Sequence, residues 1–433
     1  MVETAERTTV AVVGGGPAGM VLGLLLARAG VEVTVLEKHG DFLRDFRGDT
    51  VHASTLTLLD ELGLGPSFAE VPHQLVEKIQ VVTDGGTATM ADLSRLPGAH
   101  KHIALVPQWD FLDLLADAGK REAAFTLVMN AEVLGLVKSG VGVGVGAGSR
   151  VAGVRYRGAD GVERTLGADL VVAADGRGST VRREAGLAVR KFGVPMDVWW
   201  FRIPRHPGEP ANGLGRFSRG SGLAMIPRGD YYQCAFLIRK GSNEQLRAEG
   251  IESFRKRVVD LAPWIGDRME TVESLDDVKL LDVKLDRLRR WHGDGVLCIG
   301  DAAHAMSPIG GVGINLAVQD AVAAARVLAG PARRGALTPE VLARVQRRRW
   351  FPTAVTQAFQ RRVQDSFLRR TLEGRSGGVA GSGGTSGRMP RMVALMQRFP
   401  VLQAVPAYVV AIGLLPEHAP RFARRAPERI SRD

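Results

Sequence analysis

Cysteine is nearly missing: Cys234 and Cys298 are the only two in 433 residues. That excludes a disulfide framework, and no Cys/His spacing suits a zinc site or another metal centre. Both read as packing residues, since neither has the basic surroundings that mark a reactive thiol. No apolar run reaches the ~18 residues a membrane span needs; the longest candidate, 407–415, is too short. The opening stretch MVETAERTTVAVVGGG lacks a basic segment followed by a long apolar one, so no secretory leader is expected and a cytoplasmic setting is the default. Internal repeats are absent. Acidic residues are the scarcer sign: 57 Lys plus Arg stand against 46 Asp plus Glu, a formal charge of +11. Such a balance raises nucleic acid or an acidic membrane surface as partners. The excess is local, however. Residues 331–433 hold 19 arginines, no lysine and 6 carboxylates, which leaves residues 1–330 close to neutral. Nucleic-acid binding therefore loses its basis.

What is present is an ordinary globular composition, 45% apolar and 24% charged, with length for about two to three domains. Residues 8–13 form a β-rich apolar run, GGG at 14–16 breaks it, 17–29 has a helical pattern and 31–36 is strand-like again. This is the βαβ opening of a doubly wound sheet. Strand-like runs at 170–174 and 295–299 each end in an acidic residue beside glycine, and 314–328 reads as a helix. Residues 76–103 and 186–274 instead alternate apolar and polar residues, as antiparallel strands do. The expected fold class is α/β: a nucleotide-binding domain (1–75, 104–185, 275–330), an inserted antiparallel-sheet domain (76–103, 186–274), and a helical C-terminal region 331–433 with a Gly/Ser-rich linker at 374–387. GVGVGVGAG at 140–148 is read as a glycine-rich hairpin, because no helix follows it.

Gly14-x-Gly16-x-x-Gly19 follows a strand and opens a helix, with Pro17 and Ala18 in its first turn. The glycines have separate tasks: a tight turn, close approach of backbone to a pyrophosphate, and close helix–strand packing. The helix start offers free N–H groups to the anion. Glu37, followed by Lys38, ends the second strand, 23 residues past Gly14. A carboxylate there accepts from a ribose and disfavours a 2′-phosphate, so NAD or FAD is expected. A second cluster comes far downstream. Gly300-Asp301 stands at a strand end, and PIGGVGIN (308–315) leads into a helix start that could bring backbone N–H groups against a flat anionic edge.

GGGPAG, AADGRGSTVR and GDAAHAMSPIGGVGINLAVQDA, in this order, resemble the single-component FAD-dependent aromatic hydroxylases, the para-hydroxybenzoate hydroxylase-like monooxygenases. The resemblance covers about residues 8–330. It implies a Rossmann-like FAD-binding domain with an inserted substrate sheet. It also implies non-covalent FAD, NADH or NADPH as co-substrate, and hydroxylation of an aromatic or enolic small molecule by molecular oxygen through a flavin hydroperoxide. Gly14, Gly16, Pro17, Ala18, Gly19, Glu37 and Lys38 would then hold the ADP part of FAD. Arg47 would lie near the pyrophosphate and the NAD(P)H path, Gln108 beside the ribityl chain, and Asp175-Gly176 at both nucleotides. Gly300 and Asp301 would meet the ribityl chain. Gly311, Gly313, Ile314 and Asn315 would meet the pyrimidine edge of the flavin, and Pro308 would line the face where oxygen reacts. His304 reads as a structural hydrogen-bonder.

Trp199, Phe201, Met225 and Phe236 are the expected walls of a mostly apolar substrate pocket, although alternation leaves open which sheet face meets the flavin. Two enzyme rivals stand beside this reading. A flavin-dependent halogenase would use WWFRIP (199–204) and Lys78; an FAD-linked reductase or dehydrogenase would turn over without oxygen. A catalytically silent flavin-binding protein is the non-enzymatic alternative. A monomer or homodimer is expected. The C-terminal arginine excess reads as solvated helix faces; the sharper alternative is that the segment 389–415, apolar and arginine-flanked, rests on an acidic membrane surface or guards the substrate entrance.

Overall fold

The computed structural model describes residues 6–43, 50–83, 86–139, 150–209, 214–218, 221–365 and 391–427. The first apolar run forms the strand Glu6–Val13 at the centre of an eight-stranded sheet. Glu163–Ala173 and Val33–Leu36 flank it in parallel, and Val296–Cys298 and Phe125–Val128 extend the parallel core outward. Parallel neighbours need a crossover, and helix Pro17–Arg28 supplies the first one. Its Gly23 lets the helix settle on the sheet: a β-carbon there would stand 2.8 Å from both Phe125 and Val35. The expected hairpin at 140–148 lies outside the described residues, but its flanking strands Glu132–Ser139 and Arg150–Arg157 pair antiparallel.

Helix Val312–Arg333 crosses the same layer. Val318, Ala321, Val322, Ala324, Ala325 and Leu328 are fully buried. The span Ile309–Arg333 is long and apolar enough to cross a membrane, yet 78% of its most apolar window is buried inside the protein. A helix that is apolar on every side belongs in a core, and this one packs between Pro17–Arg28 and Pro339–Val363.

The second sheet has seven strands, ordered Lys279–Leu281, Met196–Pro204, Tyr231–Arg239, Ser221–Arg228, Leu214–Ser218, Lys78–Thr83 and Gly86–Asp92. One face is covered by helix Gly250–Leu261, an element the reading of 186–274 as strands missed. Its signal was present: Phe254, Val258 and Leu261 recur at helical spacing and are all buried. A two-stranded ribbon, Val189–Phe192 with Leu285–Leu288, connects the two sheets along the chain. The Gly/Ser-rich stretch 374–387 lies outside the described residues. Beyond it, Arg391–Arg398 and Ala404–Ala411 pack against the edge strand Gly86–Asp92.

Two buried groups tie these parts together. The Asp320 carboxylate is fully buried and accepts from Gly300 N, His304 Nε2 and Arg349 Nε. Burial alone would raise its pKa, but His304 and Arg349 hold it below the usual carboxylate range. Arg349 in turn donates to the Leu415 carbonyl. The second group is His52, also fully buried. Its Nδ1 donates to the Val410 carbonyl at 2.7 Å, which fastens the C-terminal helix to the start of helix Ala53–Glu61.

Asp320→Ala leaves His304 and Arg349 buried without their anion. It is expected to lower unfolding free energy by about 3–5 kcal/mol, measured by urea unfolding; an unchanged midpoint would refute the role. His52 gives a pH signature. Burial pushes its pKa down to about 4, so the folded ring stays neutral while the released ring titrates near 6.5. Attachment of residues 404–427 is therefore complete above pH 6.5 and weakens by about 3 kcal/mol as pH falls to 4. Hydrogen exchange of this segment should accelerate over that window in the wild type and lose the pH dependence in His52→Asn. Equal pH profiles in both proteins would contradict this.

Candidate active site

The carboxyl ends of the parallel strands converge on one edge of the first sheet, and the glycine turn sits at its centre. Gly14 has φ +105°, and a β-carbon on it would stand 2.5 Å from the Ala174 carbonyl oxygen. Gly19 would collide with the Gly14 carbonyl at 1.9 Å. Gly16, by contrast, faces open space, with nothing within 4 Å of its missing β-carbon. The three glycines thus divide into turn, ligand approach and helix packing, as a dinucleotide cradle requires. Gly16 is the N-cap of helix Pro17–Arg28, so the free N–H groups of the first turn point toward that space.

Glu37 lies at the end of Val33–Leu36 and is only 2% exposed. Its carboxylate accepts from Gly15 N at 2.8 Å and from the backbone N and ring Nδ1 of His39. The side chain expected to meet a ribose therefore also braces the glycine turn. Lys38 beside it is exposed. Gln108 opens helix Gln108–Lys120 and is half-buried. Arg47 lies outside the described residues.

Asp175 follows strand Glu163–Ala173 and touches the Gly14 turn through its backbone. Its Oδ2 accepts from Val181 N, while Oδ1 is buried with no partner. Burial pushes its pKa up against its hydrogen bonds from Ser179 and the following backbone. An unpartnered acceptor beside the glycine cradle suits a hydroxyl-bearing nucleotide. Gly176 takes φ +80° in the turn that follows. On the next strand, Gly300 at φ +55° fits between Ala18 and Ala317, where a β-carbon would stand 3.2 Å from each. Asp301 is partly exposed and stands 4.0 Å from the Arg177 guanidinium. Gly14, Asp175 and Gly300-Asp301 are thus brought together although they are far apart in sequence.

The loop after Pro308 makes two left-handed residues in succession, Gly310 and Gly311, at φ 76° and 62°. That path is open to glycine far more readily than to other residues. It ends at the start of helix Val312–Arg333, so the N–H groups of Val312, Gly313 and Ile314 have no acceptor within the helix. Asn315 is buried, and its Oδ1 accepts from Ser54 Oγ at 2.8 Å and Thr55 Oγ1 at 2.9 Å. Gln360 grips the other end of the loop: Oε1 accepts from Ser307 N, and Nε2 donates to the Ser307 and Ile309 carbonyls. Ser54, Thr55, His52 and Gln360 were not expected here. They lie 51 to 358 residues from their partners in sequence, and no local pattern marks them.

The substrate walls need correction. Trp199, Phe201, Met225 and Phe236 share one cluster with Phe254 and Val258 of helix Gly250–Leu261, and all are buried. Trp199, Phe201 and Phe236 meet the Phe254 ring edge-on at 5.1 to 6.1 Å. They form the core on the far side of the sheet. The opposite face carries Val198, Trp200, Ala224, Ala235 and Leu237. Leu237, Phe217 and Ile309 of the glycine loop all pack on buried Met196, and Ile226 joins Val312 and Val410 in a neighbouring cluster. Alternation gave both faces correctly; the helix decides which one is core. Trp200 Nε1 on the loop-side face is buried with no partner. Lys78, the lysine of the halogenase alternative, is exposed at the start of an outer strand.

The family model described as FAD binding domain matches residues 7–358. The 6-methylpretetramide 4-monooxygenase of Streptomyces rimosus is 36% identical over 348 residues, covering 79% of this chain and 80% of that protein. Protoasukamycin 4-monooxygenase of Streptomyces nodosus subsp. asukaensis is 26% identical over 331 residues, or 74% of this chain and 79% of that one. Among solved structures, PqsL, a probable FAD-dependent monooxygenase from Pseudomonas aeruginosa, superposes with a TM-score of 0.70. It covers 85% of this chain and 99% of its own at 22% identity, which shows the shared fold. With glycine cradle, strand-end carboxylates and helix start assembled on one edge, the chain belongs to the FAD binding domain family and is an FAD-containing monooxygenase of the aromatic hydroxylase type.

Proposed function

We propose that the protein uses NADH or NADPH and molecular oxygen to hydroxylate a ring-bearing aromatic or enolic small molecule held between the Gly310-Gly311 loop and the Trp200 face of the second sheet. One observation carries this reading: Ile309 joins Phe217 and Leu237 in a single apolar cluster, so the free N–H groups of the helix start and an apolar sheet face share one site. Bound FAD supplies electron transfer and oxygen activation there. The chain's own tasks are electrostatic and steric. N–H groups of Val312, Gly313 and Ile314, at the positive end of a 22-residue helix, favour negative charge on the cofactor's edge. Asn315 is braced by Ser54 and Thr55, which fixes the helix start that would hold the cofactor's ring system. Gly16 and the neighbouring first-turn N–H groups would take the pyrophosphate, and Glu37, Asp175 and Asp301 the hydroxyl-bearing parts. Val198, Ala224, Ala235 and Leu237 keep water away from the reacting face, and Trp200 Nε1 offers a donor to a substrate oxygen.

The two relatives act, by name, on 6-methylpretetramide and protoasukamycin. Those names support a polycyclic or polyketide-type substrate. The C-terminal helix Ala404–Ala411 takes the gatekeeper part of this reading, because Val410 packs with Val312 and Ile226. The stretch leading into it exposes Phe399 and Val401, and its first turn exposes Val405, which supports contact with an acidic membrane surface as a secondary role.

Purified protein should be yellow with FAD and should consume NAD(P)H and oxygen faster when a polycyclic phenol is added. A colourless protein that refuses FAD would sink the reading. Oxygen-independent turnover would favour the reductase, and a chloride-dependent product the halogenase. The two sheet faces give a sharper test. Trp200→Ala and Ile226→Ala should raise the substrate KM by about tenfold or more at unchanged FAD affinity, as loss of an apolar pocket contact does. Phe201→Ala should instead cost about 3–5 kcal/mol of stability and leave KM alone. The opposite pattern would reverse the assignment of the faces.

A further inference from the structure

An arginine cluster lies outside the site described above. On the ribbon Val189–Phe192/Leu285–Leu288, Arg190 and Arg287 are direct cross-strand partners. Like charges so placed repel. Arg361 from helix Pro339–Val363 joins them, so three guanidiniums stand 5.1 to 5.7 Å from the Phe192 ring centroid. Arg287 also lies 5.0 Å over Trp350. Next to them is a cleft of about 530 Å³ lined by Arg289, Arg290, His292, Gln346, Arg347 and Trp350. Among the described residues, none of these six arginines has a carboxylate within ion-pair distance. Glu340 acts on His292, but its side chain is bonded to Thr338 at its own helix start. Two polar atoms here are buried with no partner, Arg287 Nη1 and His292 Nδ1.

We propose that this cleft binds a phosphate-bearing ligand of nucleotide size. Cations of one sign crowded together repel, and an anion between them relieves that repulsion; the buried Arg287 Nη1, a donor without an acceptor, suits the same ligand. The choice of side chain points the same way. All six cations are arginine, whose planar fork matches two phosphate oxygens at once. Phe192 and Trp350 hold Arg287 by cation–π contact, so its fork is oriented before a ligand arrives. The volume falls within the ~300–1,000 Å³ usual for small-molecule sites. Trp350 is 44% exposed, which leaves part of its ring for a base. The cleft also touches the active site indirectly. Phe192 packs with Met306 and Leu316, and Arg361 follows Gln360, which grips the flavin-side loop.

The test is calorimetric titration of the full-length, FAD-loaded protein with pyrophosphate and with ADP at fixed ionic strength. Both should bind saturably at one site. The triple variant Arg289→Ser/Arg290→Ser/Arg347→Ser should weaken each by about tenfold or more with an unchanged flavin spectrum. Trp350→Ala distinguishes the sources: loss of ADP binding alone identifies a nucleotide, and equal binding of both probes before and after identifies a free phosphate. If the triple variant loses its flavin, Arg347→Ser alone serves, with a smaller loss. Unchanged affinity in either arginine variant overturns the site. So does displacement by chloride or sulfate as readily as by phosphate. These readouts are independent of turnover, so failure of the hydroxylation reading leaves them intact.

Discussion

A carboxylate taken fully out of water must be compensated from several sides, and Asp320 is compensated from three. Gly300 N reaches it from the end of a sheet strand, His304 from the turn after that strand, and Arg349 from the adjacent helix. Each of these groups is itself part of something the active site needs. Gly300 precedes Asp301. Asp320 lies two turns along the helix whose start faces the cofactor region. Arg349 continues to the Leu415 carbonyl in the C-terminal segment. The relative position of strand end, helix start and C-terminal segment is thus referred to one buried anion. The same low-dielectric surroundings make that arrangement firm when complete and costly when any member is lost.

A second constraint is steric. Gly14, Gly19 and Gly300 occupy places where a β-carbon would meet backbone or a neighbouring helix within about 3 Å, so they close the fold. Gly16 leaves room that nothing in the chain fills. Gly310 and Gly311 do a third job, turning the chain through left-handed space so that a helix starts abruptly at Val312. An abrupt start exposes N–H groups; a gradual one would satisfy them with the chain's own carbonyls. Glycine therefore shapes both ends of the cofactor region, at one end by leaving a space and at the other by leaving donors free.

This distinction explains what could be read from the residues beforehand. The glycine motifs and the Asp175 and Gly300-Asp301 turns were legible because their geometry admits few other residues. The strands 8–13 and 170–174 were legible because buried parallel strands are continuously apolar. Period-two alternation correctly separated Trp199 from Trp200. It carries no information about which face meets a helix, and that was decided by Gly250–Leu261, an element whose helical stripe was masked by the strand-like residues before it. His52 and Val410, 358 residues apart, show the other limit. A bond between a ring nitrogen and a carbonyl leaves no mark on the sequence, because every residue has a carbonyl.

The arginine excess is the feature whose meaning changed most. Composition alone spreads it over a solvated C-terminal region, but the run 347–349 shows how differently neighbouring charges are used. Successive residues on a helix point about 100° apart. Arg349 accordingly points inward to Asp320, Arg348 sideways to Glu417 of the C-terminal segment, and Arg347 outward into the open cleft. Two of the three are spent on holding the chain together, and their carboxylates are 0% and 3% exposed at the side chain. The third has no such partner and shares the cleft with Arg289 and Arg290 from beyond the ribbon. Net charge counts these three alike. Only their direction on the helix separates a structural ion pair from a cation left facing solvent, and the directed ones leave the undirected one without a competitor for an incoming anion.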